Sequence, residues 1–291
     1  MKVTVVGPGA MGCLFAGRFA HAGIPTTLVD YKSDRSARLQ NTGIVIESEA
    51  GNITAKPTVA THIPSGQDLV VLCTKAYSTR ELKLPNDVPV LTLQNGLGNV
   101  EVLCGMVGSG RVLAGVTFEA ATLQAEGVVR HAAGGETRFG SWTSCPAESA
   151  LKAFTKAGFD ASVTEAPGQM IWEKVAVNAG INPLTALLDV ENGQLLEVRE
   201  IRELMRNLVV EAAKVASTEG YRFDYSLVER AEQVCYQTRN NISSMLQDVR
   251  AKKRTEIDAL SGEILQRAEL ASLPCPRTKV VYQLVKGLER R

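Results

Sequence analysis

Long apolar runs are missing from this 291-residue chain. No stretch approaches the ~20 consecutive apolar residues that a membrane-spanning helix needs, which excludes a helical membrane protein. An excess of charge of one sign is missing too. The formal net charge is +1, with 14 Lys/Arg against 14 Asp/Glu up to Glu165 and 18 against 17 beyond it. A nucleic acid or an anionic membrane surface therefore has no basic patch to meet in either half. Histidine is scarce, and His21, His62 and His131 lie far apart; the six cysteines, at 13, 73, 104, 145, 235 and 275, form no close pair and no Cys-x-x-Cys. That spacing argues against a metal centre or a disulfide framework and for reduced thiols in the cytoplasm. The opening MKVTVVGPGA runs straight into a strand pattern without the apolar region of a signal peptide, an expectation that points the same way.

What is present is ordinary for a globular protein: 45% hydrophobic and 22% charged residues, enough for an ample core. At this length one core is uncomfortable and two domains are expected. Residues 2–6, KVTVV, are a short β-branched run followed by GPGAMG and then CLFAGRFAHAG, whose apolar residues recur at helical spacing. Strand, glycine turn and helix together make Gly7, Gly9 and Gly12 a dinucleotide-binding G-x-G-x-x-G. The first glycine allows the tight turn, the second lets the backbone approach a pyrophosphate, and the third lets helix and strand pack closely. Pro8, Ala10 and Met11 complete the turn, where the helix N-terminus offers free N–H groups to an anion. The second strand, TTLVD, ends in Asp30, placed to accept hydrogen bonds from an adenosine ribose or, alternatively, to open the next turn.

Two further apolar strands, DLVVLCTKA and VPVLTLQNG, bring Lys75 and Asn95 to the carboxyl edge of a parallel sheet, where open α/β sheets bind ligands. A helix start and an Asn-Gly turn are the plain alternatives for these two. Residues 111–140 switch to short runs with glycine breaks and read as antiparallel strands appended to that sheet. Beyond about residue 165 strand signals vanish, and residues 169–188, 195–219, 226–250 and 251–271 show helical periodicity. The expected class is thus α/β, a Rossmann-like doubly wound sheet over residues 1–165 followed by an all-helical domain over 166–291.

The segment WEKVAVNAGINPLTALL, from Trp172, is nearly as apolar as a core helix, yet Lys174, Asn178 and Asn182 fall on one stripe at four-residue spacing. A lysine reaching back to solvent and a functional ammonium are equally good accounts of that stripe. In NNISSMLQDVRAKKRTEID, read as one helix, Asn241, Ser244, Asp248 and Glu256 share about a third of the circumference, a pattern also common on solvated faces.

GPGAMG at 7–12, TKA at 74–76, QNGLG at 94–98, WEKVAVNAGINPLTA at 172–186, ENG at 191–193 and NNISSMLQDVRAKKRTEID at 240–258 together resemble the ketopantoate reductase family, and they span almost the whole chain. The resemblance implies reduction of 2-dehydropantoate to pantoate with a nicotinamide cofactor, on the route to pantothenate and coenzyme A. It implies that Lys174 is the general acid, that Asn178, Asn182, Asn192 and the run Asn241 to Ser244 hold the substrate, and that Asn95 touches both substrate and cofactor. Lys75, Asn95, Ala121 and Glu256 would line the cofactor, with Glu256 near the reacting centre, and the helical domain would be 6-phosphogluconate dehydrogenase-like. NADPH is the cofactor implied. Asp30 departs from the basic residue expected there and keeps NADH open unless Lys32 or Arg35 offsets its charge. A small keto acid is the expected partner, a homodimer is compatible with the sequence, and a reductase of another keto acid or a non-catalytic nucleotide sensor remain as alternatives.

Overall fold

The computed structural model describes residues 1–290, and their contacts divide into two units. The first comprises residues 1–94 and 99–167. It runs β1 (Val3–Val6), α1 (Ala10–His21), β2 (Thr26–Val29), α2 (Ser33–Thr42), β3 (Ile44–Glu47), β4 (Ile53–Ala55), β5 (Thr58–Ala60), β6 (Leu69–Leu72), β7 (Val90–Thr92), α3 (Asn99–Val107), β8 (Val112–Thr117), β9 (Ala120–Ala125), β10 (Val128–Ala133), β11 (Thr137–Ser141), α4 (Glu148–Lys156) and β12 (Ala161–Val163). Eight strands form the main sheet in the order β12-β11-β8-β7-β6-β1-β2-β5. β1 pairs in parallel with β2 and β6, so all four of its residues are buried and its sequence is continuously apolar or β-branched instead of alternating.

The reading of residues 111–140 needs correction. β8 and β11 do join the main sheet, antiparallel to one another. β9 and β10, however, leave it and build a second sheet with β3 and β4, in the order β4-β3-β10-β9. α1 explains the split, because it packs against β1 and β2 and also touches β4, β9 and β10. Its small residues permit this: a Cβ on Gly17 would stand 2.8 Å from Ile46 Cδ1. Phe15 and Phe19 of α1 meet Phe154 of α4 at ring-centroid distances of 5.4 and 5.0 Å. Burying each ring is worth ~1.5–3 kcal/mol, so the helix carrying the glycine turn is firmly seated.

The second unit comprises Asn95–Gly98 and Gly168–Arg291, of which residue 291 lies outside the described residues. It contains α5 (Pro167–Leu188), α6 (Arg199–Thr218), α7 (Leu227–Gln237), α8 (Ser244–Arg250), a π turn (Asp258–Gly262), α9 (Glu263–Leu270) and α10 (Pro276–Leu288). Its core gathers Trp172, Val175, Ala176, Ile181 and Leu184 of α5 with Met205, Leu208, Val209 and Ala212 of α6. The two helices approach closely because Gly180 has no side chain; a Cβ there would lie 2.7 Å from Val209 Cγ2.

Two predicted helices are broken. The one over 226–250 stops at Gln237 and restarts after Ser243, whose hydroxyl caps α8 by accepting the Leu246 N–H at 3.1 Å. The one over 251–271 has no helix in its first seven residues. α8 ends in a Schellman motif, with Lys252 at φ 52°, its N–H on the Val249 carbonyl and the Lys253 N–H on that of Asp248. No glycine marks that stop, so periodicity carried the reading past it. Asn241 and Ser244 are therefore separated from Glu256 by a chain reversal and do not share a helix face with it.

Candidate active site

In the first unit the glycine turn joins β1 to α1, and its three glycines differ in why they lack a side chain. Gly7 has φ 104°, and a Cβ would stand 2.8 Å from Thr74 Cγ2; on Gly12 it would stand 1.8 Å from the Gly7 carbonyl oxygen. Both are demanded by packing. Around Gly9 a Cβ would meet nothing within 4 Å, and Gly9 caps α1 without a side-chain hydrogen bond. Open space thus faces a helix N-terminus with unclaimed donors, which suits the pyrophosphate of a dinucleotide. Pro8, Ala10 and Met11 are partly exposed around it. Lys75 lies beside this turn, since Thr74 presses on Gly7 and its carbonyl accepts the Gln94 amide at 2.9 Å. Ala121 lies on β9, which packs against α1.

Asp30 does not offer the free carboxylate that a ribose-binding role expects. It is 2% exposed, and Arg35 forks onto it, with Nη2 on Oδ1 at 2.8 Å and Nε on Oδ2; the Lys32 N–H adds a third bond to Oδ1 at 3.1 Å. The pairing lifts Arg35 above its ordinary range, and the guanidinium remains partly exposed. Sequence reasoning named Arg35 only as an offset. The five-residue spacing from a strand end to the first turns of α2 was the available signal.

The second unit holds the lysine stripe. Lys174 and Asn178 are half-buried on successive turns of α5, and Asn182, one turn on, is buried. Burial pushes the Lys174 ammonium down to about 8, and the negative charge of Glu256 pulls against that shift. Burial of this kind suits a functional ammonium better than a head that reaches back to bulk water.

Glu256 itself is 7% exposed and accepts a hydrogen bond from Asn95 Nδ2 at 3.4 Å. That contact depends on a loop docked by its backbone. The Leu97 N–H donates to the Ala259 carbonyl at 2.8 Å, and Gly96, at φ 89°, lies so close that a Cβ would stand 2.5 Å from the same oxygen. Ala259 belongs to the π turn, in which the Gly262 N–H reaches the Ile257 carbonyl five residues back. The widened turn loosens the usual carbonyl ladder, and such turns are frequent at functional sites.

Pro183, inside α5, also removes a backbone donor. Nearby, the Thr185 hydroxyl hydrogen-bonds Ser243 Oγ at 2.7 Å and so ties α5 to the start of α8. Asn241 and Ser244 flank that cap and are exposed. The ENG turn holds the same segment from the other side: the Asn192 N–H donates to the Asn241 carbonyl at 3.0 Å, and the Gly193 N–H to that of Arg239 at 3.0 Å. Asn192 is 8% exposed; its Nδ2 donates to Thr238 Oγ1 at 2.9 Å, while its buried Oδ1 has no partner among the described residues. An orphaned acceptor of this kind is a place for a donor from a ligand. Thr185 and the Ala259 carbonyl were missed by sequence reasoning, because their work is done through backbone geometry and long-range contacts; Ser243 fell within the run Asn241 to Ser244 but as a substrate residue, not as a helix cap.

Comparison with known proteins agrees along the whole chain. Residues 3–144 match the family described as ketopantoate reductase PanE/ApbA, and residues 168–289 match its C-terminal counterpart. The 2-dehydropantoate 2-reductase of Halobacterium salinarum is 38% identical, with 100% of this chain and 99% of that protein covered. A PanE/ApbA family ketopantoate reductase structure from Ralstonia eutropha superposes with a TM-score of 0.91 at 27% identity, covering 100% and 99% of the two chains. A D-mandelate dehydrogenase, solved with NADH and anilino(oxo)acetate, shares the fold at a TM-score of 0.92 and 24% identity, with 100% and 99% covered. Among the described residues no helix is long and apolar enough to cross a membrane, and no cluster of His, Cys, Asp or Glu could hold a metal ion.

Proposed function

The chain belongs to the ketopantoate reductase family, and from that premise we propose that it reduces 2-dehydropantoate to pantoate, using NADPH in preference to NADH. The observation that carries the proposal is Lys174, an amine whose burial brings it to about 8, opposed by the charge of a buried carboxylate. An amine so tuned is still largely protonated at neutral pH, yet surrenders its proton far more readily than an ordinary lysine.

The nicotinamide cofactor, when bound, supplies the hydride. Gly7 to Gly12, with the open face at Gly9, would hold it, and the family resemblance adds Lys75, Asn95, Ala121 and Glu256. Lys174 polarises the ketone oxygen of the substrate, and as negative charge develops there it transfers its Nζ proton to that oxygen. Glu256 keeps the amine charged beforehand, and Asn95 holds Glu256 in place. Asn178, Asn182, Asn192, Asn241 and Ser244 bind the carboxylate and hydroxyl of the keto acid with amide and hydroxyl groups. They add no second cation that would drive Lys174 lower still. The unpartnered Oδ1 of Asn192 suits a substrate hydroxyl.

NADPH is favoured because Arg35 neutralises Asp30 and leaves part of its guanidinium at the surface, so that a 2′-phosphate meets a cation instead of a bare carboxylate. The six free cysteines fit a reducing compartment, in keeping with a cytoplasmic enzyme.

The test is a spectrophotometric assay of ketopantoate, beside 2-ketoisovalerate, with each reduced cofactor, on wild type and on Lys174→Ala. Ketopantoate is expected to be turned over best, and Lys174→Ala to lower kcat/KM by ~10²- to 10⁴-fold with cofactor affinity retained. Full activity in Lys174→Ala overturns the mechanism, and preference for the shorter acid overturns the substrate. Arg35→Ala is expected to cost ~10-fold or more in kcat/KM with NADPH and little with NADH; wild-type preference for NADH refutes the cofactor assignment.

A further inference from the structure

We infer that Glu289, beyond the end of the last helix, is a positioning residue for Glu256, acting through Thr255. This deepens the reading of Lys174 above and rests on it.

Glu256 sits in a seven-residue stretch without helix, between α8 and the π turn, and its carbonyl accepts the Leu260 N–H of that turn at 3.1 Å. A second tie, on the residue before it, comes from some thirty residues later in the sequence. Glu289 Oε1 accepts both the Thr255 N–H at 2.8 Å and the Thr255 hydroxyl at 2.7 Å. Thr255, wholly buried, in turn accepts the Ile257 N–H on its own Oγ1 at 3.2 Å. Both neighbours of Glu256 are thereby tied to one carboxylate. Two residues on, Asp258 is gripped by Tyr282 Oη at 2.8 Å and Lys286 Nζ at 3.0 Å from α10, and by Arg254 at 3.0 Å. Lys286 also pairs with Glu289 at 2.8 Å, so the two anchors form one network.

The geometric effect of the network is to set where the Glu256 carboxylate stands relative to Lys174 and Asn95. Since the Glu256 charge opposes the desolvation of Lys174, letting that carboxylate swing away leaves the amine less protonated at a given pH. The charged and titratable groups on the elements around this segment include Lys174, Asp248, Arg254, Asp258, Tyr282, Lys286 and Glu289. Glu173, next to Lys174, is engaged by Tyr225 at 2.6 Å and Arg230 at 3.2 Å.

The experiment compares pH profiles of kcat/KM for Glu289→Ala, Glu289→Gln and Glu211→Ala in the full-length protein. Glu211 pins the opposite end of α10, accepting the Thr278 N–H at 2.8 Å, and serves as the control for loss of helix docking. Glu289→Ala is expected to move the alkaline limb down by ~0.5 pH unit or more, losing about twofold or more at pH 8, with the cofactor KM unchanged. Glu289→Gln keeps an oxygen for Thr255 and should restore most of the wild-type profile. Glu211→Ala should lower Tm and leave the limb where it is. An unmoved limb in Glu289→Ala, or an equal shift in Glu211→Ala, overturns the inference. Should Glu289→Ala fail to fold, Tyr282→Phe is read by the same criterion. A wild-type enzyme that reduces ketopantoate with no alkaline limb sinks the reading of Lys174 itself, a result distinct from any of these.

Discussion

Glu256→Gln isolates the electrostatic part of the mechanism, because the amide keeps the size of the side chain and the oxygen that Asn95 meets while removing the charge. With Lys174 brought down to about 8, about half of the molecules carry the proton of the proposed acid at pH 8 and about nine-tenths at pH 7. An opposite charge at ~4–6 Å commonly holds a pKa by 1 or more. Removing it deepens the depression of a lysine whose burial already disfavours the cation. With the limb about one pH unit lower, the protonated fraction at pH 8 falls to about one-tenth, a fivefold loss, whereas at pH 6 it stays above about nine-tenths. The sign follows from the role: an acid catalyst is active below its pKa, and activity is lost as pH rises through it. Measuring kcat/KM for ketopantoate from pH 6 to 10 checks this, since that quantity reports the free enzyme. A Glu256→Gln limb at the wild-type position, or activity lost equally at every pH, refutes the claim that Glu256 acts by holding the proton on Lys174.

The glycine turn gives a paired prediction. Gly9→Ala should fold with Tm nearly unchanged and raise the cofactor KM ~10-fold or more, because its Cβ has space in the protein but enters the path of a pyrophosphate; Gly12→Ala should lose Tm outright, since its Cβ collides with the Gly7 carbonyl. Thermal melts beside cofactor titrations separate the two, and equal Tm losses would contradict the packing argument. Thr185→Val removes the hydroxyl that meets Ser243 and is expected to cost ~1 kcal/mol by denaturant unfolding, with a rise in substrate KM as the Asn241–Ser244 segment loosens. An unchanged KM would separate the cap from the substrate.

Much of the first unit was legible in the chain. The β-branched run, the glycine spacing and the apolar residues of α1 are local features, each dictated by one turn or one packed face, and they read directly as strand, turn and helix. The second sheet was not legible: β3, β4, β9 and β10 pair across about eighty residues, and nothing within VVRHAA tells a strand which of two sheets it will join. In the second unit the lysine stripe was visible as a pattern, but two accounts of it were equally good, because periodicity fixes which residues share a face and not whether that face is wet.

By itself, then, the sequence determined the dinucleotide turn, the helical nature of the second half and the identity of the one amine placed among apolar neighbours. These depend on residues close together in the chain. Only the tertiary structure decided that Lys174 is desolvated, that Asp30 is spent on Arg35, and that Glu256 lies outside the helix of Ser244, with Asn95 on its carboxylate and its neighbour Thr255 bonded to Glu289. Desolvation and charge pairing are sums over neighbours in space, and those neighbours come from α5, the Asn95–Gly98 loop and α10, segments that meet only once the chain has folded.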